Sequence, residues 1–79
     1  MTDTARLNQI IQQSGYKLSF IADRLGLSAY GFARKRDNLN EFTASEIDAL
    51  CELLGITAIE DRFAIFFAKE VDGKSTKET

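Results

Sequence analysis

The chain has 79 residues, 44% of them hydrophobic and 28% charged, with a net charge of −2, one cysteine and no histidine. That length supports one domain with one core, and the composition is that of an ordered protein. A disulfide framework and a Cys/His zinc site are excluded. No apolar run reaches the roughly 18–20 residues of a membrane span, and no basic-then-apolar leader opens the chain, so the expected location is the cytoplasm.

No proline occurs anywhere, which leaves glycine, asparagine and capping residues to punctuate the chain. The first periodic segment runs from Thr4 to Ser14, with Leu7, Ile10, Ile11 and Ser14 on one helical face. Gly15 ends it, because glycine takes positive φ at little steric cost. The second segment, Leu18 to Leu25, brings Ile21, Ala22 and Leu25 together and stops at Gly26. Ser28 is then an N-cap for a third helix from Ala29 to Arg36 or Asp37, with Leu27 and Phe32 spaced as a hydrophobic staple. Two short helices joined by a tight glycine turn are the physical content of a helix-turn-helix. Asn38 is the expected C-terminal cap, since asparagine tolerates the left-handed conformation.

Thr43 and Glu46 have capping-box spacing, with Phe42 and Ile47 as the staple, and Ile47, Leu50, Cys51 and Leu54 form the apolar stripe up to Gly55. Cys51 therefore reads as a core thiol, as no histidine exists to activate it. Thr57 and Glu60 repeat the capping spacing and predict a fifth helix through about Val71. Within it Ile59, Phe63, Phe66 and Phe67 are expected to face the core, leaving Ala64, Ile65 and Ala68 on the flank. Residues 73–79 contain no apolar side chain and read as a frayed tail after a domain of residues 1–72. No strand-like alternation of useful length occurs. The expectation is all-α, with five helices.

The run Ile21-Ala22-Asp23-Arg24-Leu25-Gly26-Leu27-Ser28, followed by Phe32 and Arg34-Lys35, resembles the helix-turn-helix core of lambda-repressor-like regulators, the Xre/Cro group of phages and bacteria. Phe42-Thr43-Ala44-Ser45-Glu46-Ile47, Leu54-Gly55-Ile56 and the phenylalanine-rich fifth segment extend that resemblance over residues 4–71. Ala22 is small where the motif helices cross, and Gly26 leaves the first of them in a left-handed turn. The resemblance implies a motif over residues 18–37, with a recognition helix at residues 28–36 in the major groove of double-stranded operator DNA. It also implies a bacterial, phage or prophage source and no cofactor.

With Phe32 facing inward, Ala29, Tyr30, Ala33 and Arg34 lie on the outer side as expected base contacts. Arg34 leads them, because its fork matches guanine O6 and N7. Tyr30 has two readings: contact with a thymine methyl or a phosphate, or packing over the end of the fourth helix. Lys17, Ser28, Lys35, Arg36 and Asn38 are expected phosphate contacts, which set affinity and register. Lys35 and Arg36 also suit the dipole at a helix C-terminus. Gly31 inside the helix has three readings: close approach to DNA, close approach to another helix, or drift. A homodimer through Ala64, Ile65 and Ala68 would present two half-sites, against the alternative that all this apolar surface is internal.

Charge distribution agrees with DNA binding. Residues 1–40 hold six basic and three acidic side chains, a balance of +3, whereas residues 41–79 hold four and nine, a balance of −5. Leu18 and Ala29 stand where relatives often carry polar residues. They support a second reading, a protein-binding antirepressor or modulator acting on a partner repressor through Tyr30, Phe20 and the acidic half. An enzyme is not expected, as no catalytic constellation and no glycine-rich phosphate loop is present.

Overall fold

The computed structural model describes residues 1–69. They form five helices: α1 (Thr4–Ser14), α2 (Leu18–Arg24), α3 (Ala29–Arg36), α4 (Ala44–Leu54) and α5 (Ile59–Phe66). No strand occurs among the described residues. The tail at 73–79 and the expected helix end at Val71 lie outside them. No described helix is long and apolar enough to cross a membrane.

Local chemistry sets most boundaries as the sequence predicts. Gly15, Gly26 and Gly55 all adopt positive φ, and Ser28 Oγ accepts the Gly31 N–H to open α3. The Thr43–Glu46 capping box is complete in both directions. At the end of α2, Gly26 N–H donates to the Asp23 carbonyl and Leu27 N–H to that of Ala22, the Schellman arrangement that reverses the chain. The same two bonds recur after α3, from Asn38 N–H to Lys35 and from Leu39 N–H to Arg34. There Asn38 takes the left-handed position, with φ 68°.

One core joins all five helices. Leu7 and Ile11 of α1, Ile21 and Ala22 of α2, Phe32 of α3, Leu50 and Cys51 of α4, and Ile65 and Phe66 of α5 are buried in one cluster. Phe42, in the loop before α4, packs at a tilt against Phe32 and edge to face against Phe66, at centroid distances of 5.8 and 5.7 Å. Burial pushes the Cys51 thiol pKa up, as suits an inert core group.

The fifth helix departs from expectation in extent and in facing. Its N-cap is Ala58, without a side-chain capping bond, so Thr57 and Glu60 do not form the expected box. It ends at Phe66 because the chain beyond pairs with the N-terminus. Ala68 N–H donates to the Met1 carbonyl, and Asp3 N–H donates to the Ile65 carbonyl. Ile65 is 1% exposed and Phe66 5%, whereas Ile59, Phe63 and Phe67 lie open at 72%, 63% and 55%. Ile65 is therefore a core residue, which corrects its assignment to a dimer surface. Each residue turns an α-helix by roughly 100°, so Ile65 and Phe63 sit on nearly opposite sides and cannot both face inward. Ala64 and Ala68 are half-buried.

Candidate nucleic-acid interface

The α2–turn–α3 unit is built around two buried anchors. Ala22 is almost fully covered where α2 meets its neighbours, and Phe32 is completely covered beneath α3. With Phe32 pinned inward, helical geometry turns Tyr30 outward, and Ala29 lies open at the first turn of α3. Both are exposed, while Ala33 and Arg34 are half-exposed. The second reading of Tyr30, packing over α4, does not hold: its side chain is among the most exposed of the large apolar groups.

Arg34 and Tyr30 form one unit on this surface. The guanidinium carbon lies 5.8 Å from the Tyr30 ring centroid, and Nη1 donates to the Tyr30 hydroxyl at 3.4 Å. Nε donates to Asn40 Oδ1 at 2.8 Å. Asn40 is absent from the residues singled out by sequence. Its role depends on how the chain returns to Arg34 after the Asn38 cap, a contact that the cap by itself does not announce.

The expected phosphate contacts divide into two groups. Lys17 and Ser28 are exposed at the start of α2 and α3, and Lys17 has no carboxylate partner among the described residues. The other three side chains have internal partners. Lys35 Nζ donates to both Glu46 carboxylate oxygens, at 2.6 and 2.8 Å, in a largely covered ion pair. Arg36 forks onto the Asp37 carboxylate at 3.0 and 3.2 Å, and that pairing holds Asp37 below the usual aspartate range. Asn38 brackets Thr2, accepting its N–H at 2.8 Å and donating to its carbonyl at 2.9 Å. Lys35 and Asn38 thus hold the end of α3 to the body.

Glu46 shows how firmly. Burial raises its pKa, but the Lys35 ammonium and the Thr43 backbone N–H outweigh burial and hold the carboxyl below 4.5. At Gly31 an added Cβ would lie 3.2 Å from Ser28 Oγ, the atom that accepts the Gly31 N–H, which is a tight contact. No neighbouring helix approaches it that closely.

A second aromatic cluster lies at the start of α2 and in the turn before it. Tyr16 and Phe20 pack at 5.1 Å between centroids, both partly exposed, and the Arg24 guanidinium carbon sits 5.7 Å from the Phe20 centroid.

A family model described as a Cro/C1-type HTH DNA-binding domain matches residues 6–64, from the first turn of α1 to the middle of α5. No curated protein and no solved structure matches significantly. The matched stretch contains the whole α2–turn–α3 unit and most of the chain, so this protein belongs to the Cro/C1-type helix-turn-helix DNA-binding domains.

Proposed function

We propose that this DNA-binding domain is a sequence-specific transcriptional regulator of the Cro/repressor kind, which lays α3 in the major groove of its operator. The observation that carries this reading is the outer face of α3. Tyr30 is largely exposed there and the half-exposed Arg34 lies over its ring, while Phe32 is buried beneath the helix. A groove about 12 Å wide admits such a helix, and an arginine fork bonded to guanine discriminates by about 1–3 kcal/mol. Ala29 and Ala33 line the same approach at low steric cost. Lys17 and Ser28, at the two helix starts, are the phosphate contacts this reading retains. Arg36 joins them only by exchanging Asp37 for a phosphate.

The regulator acts as a homodimer in this reading. Its contact is the exposed stripe of Ile59 and Phe63 on α5 and Phe67 at its C-cap, with Ala64 and Ala68 at the margin. Three large apolar side chains in one row are more than a small monomer needs to leave in water. Two-fold pairing would cover them and present two copies of α3 to an operator with half-sites about 34–36 Å apart. The cellular setting that goes with this function is the bacterial cytoplasm, on a phage or prophage regulatory circuit.

Selection of bound duplexes from a random pool tests the proposal. Enrichment of a palindrome, with affinity falling steeply as salt rises, is the expected result. The α2 cluster of Tyr16, Phe20 and Arg24 favours a second reading, an antirepressor that docks on a partner repressor. Loss of salt-sensitive DNA binding together with stoichiometric capture of a purified repressor would decide for that alternative.

A further inference from the structure

We infer that Asn40 is a positioning residue for sequence discrimination: it holds the Arg34 guanidinium over Tyr30 before DNA arrives, leaving the outer nitrogens aimed for an end-on grip on a guanine. This rests on the proposed role of α3 in base reading. Asn40 is placed by the backbone reversal after α3 and by the Asn38 side chain that anchors it. Asn38 takes the left-handed position and is fastened there by its two bonds to Thr2. The chain then doubles back, and the N–H groups of Leu39 and Asn40 both donate to the Arg34 carbonyl, at 2.8 and 3.3 Å. That return brings Asn40 Oδ1 to 2.8 Å from Arg34 Nε.

The choice of nitrogen matters. An arginine reads guanine with two parallel N–H bonds, made either by Nε with one Nη or by the two Nη groups. Asn40 occupies Nε, and the Tyr30 hydroxyl takes a long 3.4 Å bond from Nη1. Nη2 has no partner among the described residues, and Nη1 keeps a second hydrogen. The end-on pair is therefore the one available. A long, rotamer-rich side chain ordinarily loses freedom on binding, and ordering it beforehand lowers that loss. The Tyr30 ring below and the Asn40 carbonyl beside it fix the plane of the fork, which a flexible arginine leaves open.

Asn40 is exposed and lies outside the core, so Asn40→Ala should fold normally. Two measurements test the inference, the first without DNA. In the intact chain, exchange of the Arg34 Nε proton with water should be slower than that of exposed Arg24; Asn40→Ala should abolish the difference and Asn40→Asp should preserve it. Arg34 exchanging as fast as Arg24 in the unmutated protein would overturn the positioning claim, whatever the DNA result. The second measurement uses the duplex recovered by selection and its single-base-pair variants. Asn40→Ala should lower preference at the guanine read by Arg34 about 2- to 10-fold, leaving salt dependence and other base positions unchanged. Arg34→Ala should lower it about 5- to 150-fold, and adding Asn40→Ala to that variant should change nothing further. An undiminished effect of Asn40→Ala in the Arg34→Ala background would mean that Asn40 touches DNA itself, which refutes the inference alone. An unmutated protein with no base preference would refute the parent reading, and the discrimination role with it.

Discussion

Helices α3 and α5 are both eight residues long, and both leave aromatic side chains in water, but they do so in opposite company. On α3 the exposed ring of Tyr30 lies under a guanidinium, which is itself bonded to Asn40. On α5 and its C-cap the exposed rings of Phe63 and Phe67 pack edge to face at 5.2 Å between centroids, with Ile59 one turn before Phe63 and no cation over either ring among the described residues. A ring dressed with charge and hydrogen-bonding groups suits a polar, anionic surface such as a duplex. A bare apolar row suits another apolar row. Under the proposed function, the comparison assigns the α3 surface to nucleic acid and the α5 row to a second copy of the chain.

The sharpest test contrasts the anchors of the two helices with their outer rings. Phe32→Ala removes a completely buried ring beneath α3 and should cost about 3–5 kcal/mol in urea unfolding, a large share of what a small domain possesses. A loss near zero would mean that α3 is not held by its underside, and the outward placement of Arg34 would have no mechanical basis.

Lys35→Ala comes next. It strands the largely covered Glu46 carboxylate and should cost about 1–3 kcal/mol at neutral pH. The sign with pH follows from Glu46. Its folded pKa is depressed, so its contribution is present above its ordinary value of 4.5 and drains as pH falls through the lowered folded value. Without Lys35 that acid-side loss should flatten, which denaturation series from neutral pH to about pH 3 would show. If Lys35→Ala instead leaves stability alone and shallows the salt dependence of DNA binding, Lys35 faces phosphate after all.

The smallest stability effect belongs to α5. Phe63→Ser should change monomer stability by no more than about 0.5 kcal/mol, because the ring is mostly in water. Its consequence should be in assembly. Sedimentation should shift toward monomer, and binding to a palindromic duplex should weaken more than binding to a half-site. A cost as large as that of Phe32→Ala would erase the distinction between the two helices. An unmutated chain that stays monomeric well above micromolar concentration would remove the dimer and leave the α5 row without its proposed partner.

The same contrast explains how much could be read before the structure was in hand. Helix α3 has a single large apolar residue, Phe32, on its inner side, bracketed by Ser28 and Asn38, so its limits and outward face followed from local chemistry. Helix α5 offers too many apolar residues for periodicity to choose among. Ile59, Phe63, Phe66 and Phe67 share one arc and Ile65 lies opposite, and a row chosen by spacing alone took the arc whose outer members are exposed. Neighbours made the selection: Phe42 receives Phe66, and Asp48 of α4 takes the Arg62 guanidinium at 2.6 Å.

The amino-acid sequence by itself determined the all-helical class, the first four helix boundaries, the α2–α3 turn at Gly26 and the family to which the domain belongs. These depend on interactions within about one helical turn, where side-chain type and spacing suffice. Only the tertiary structure decided which side of α5 is buried, that Lys35 pairs with Glu46, and that Asn40 meets Arg34. Those contacts join residues whose separation is set by how the chain reverses between helices and by how the helices compete for one core.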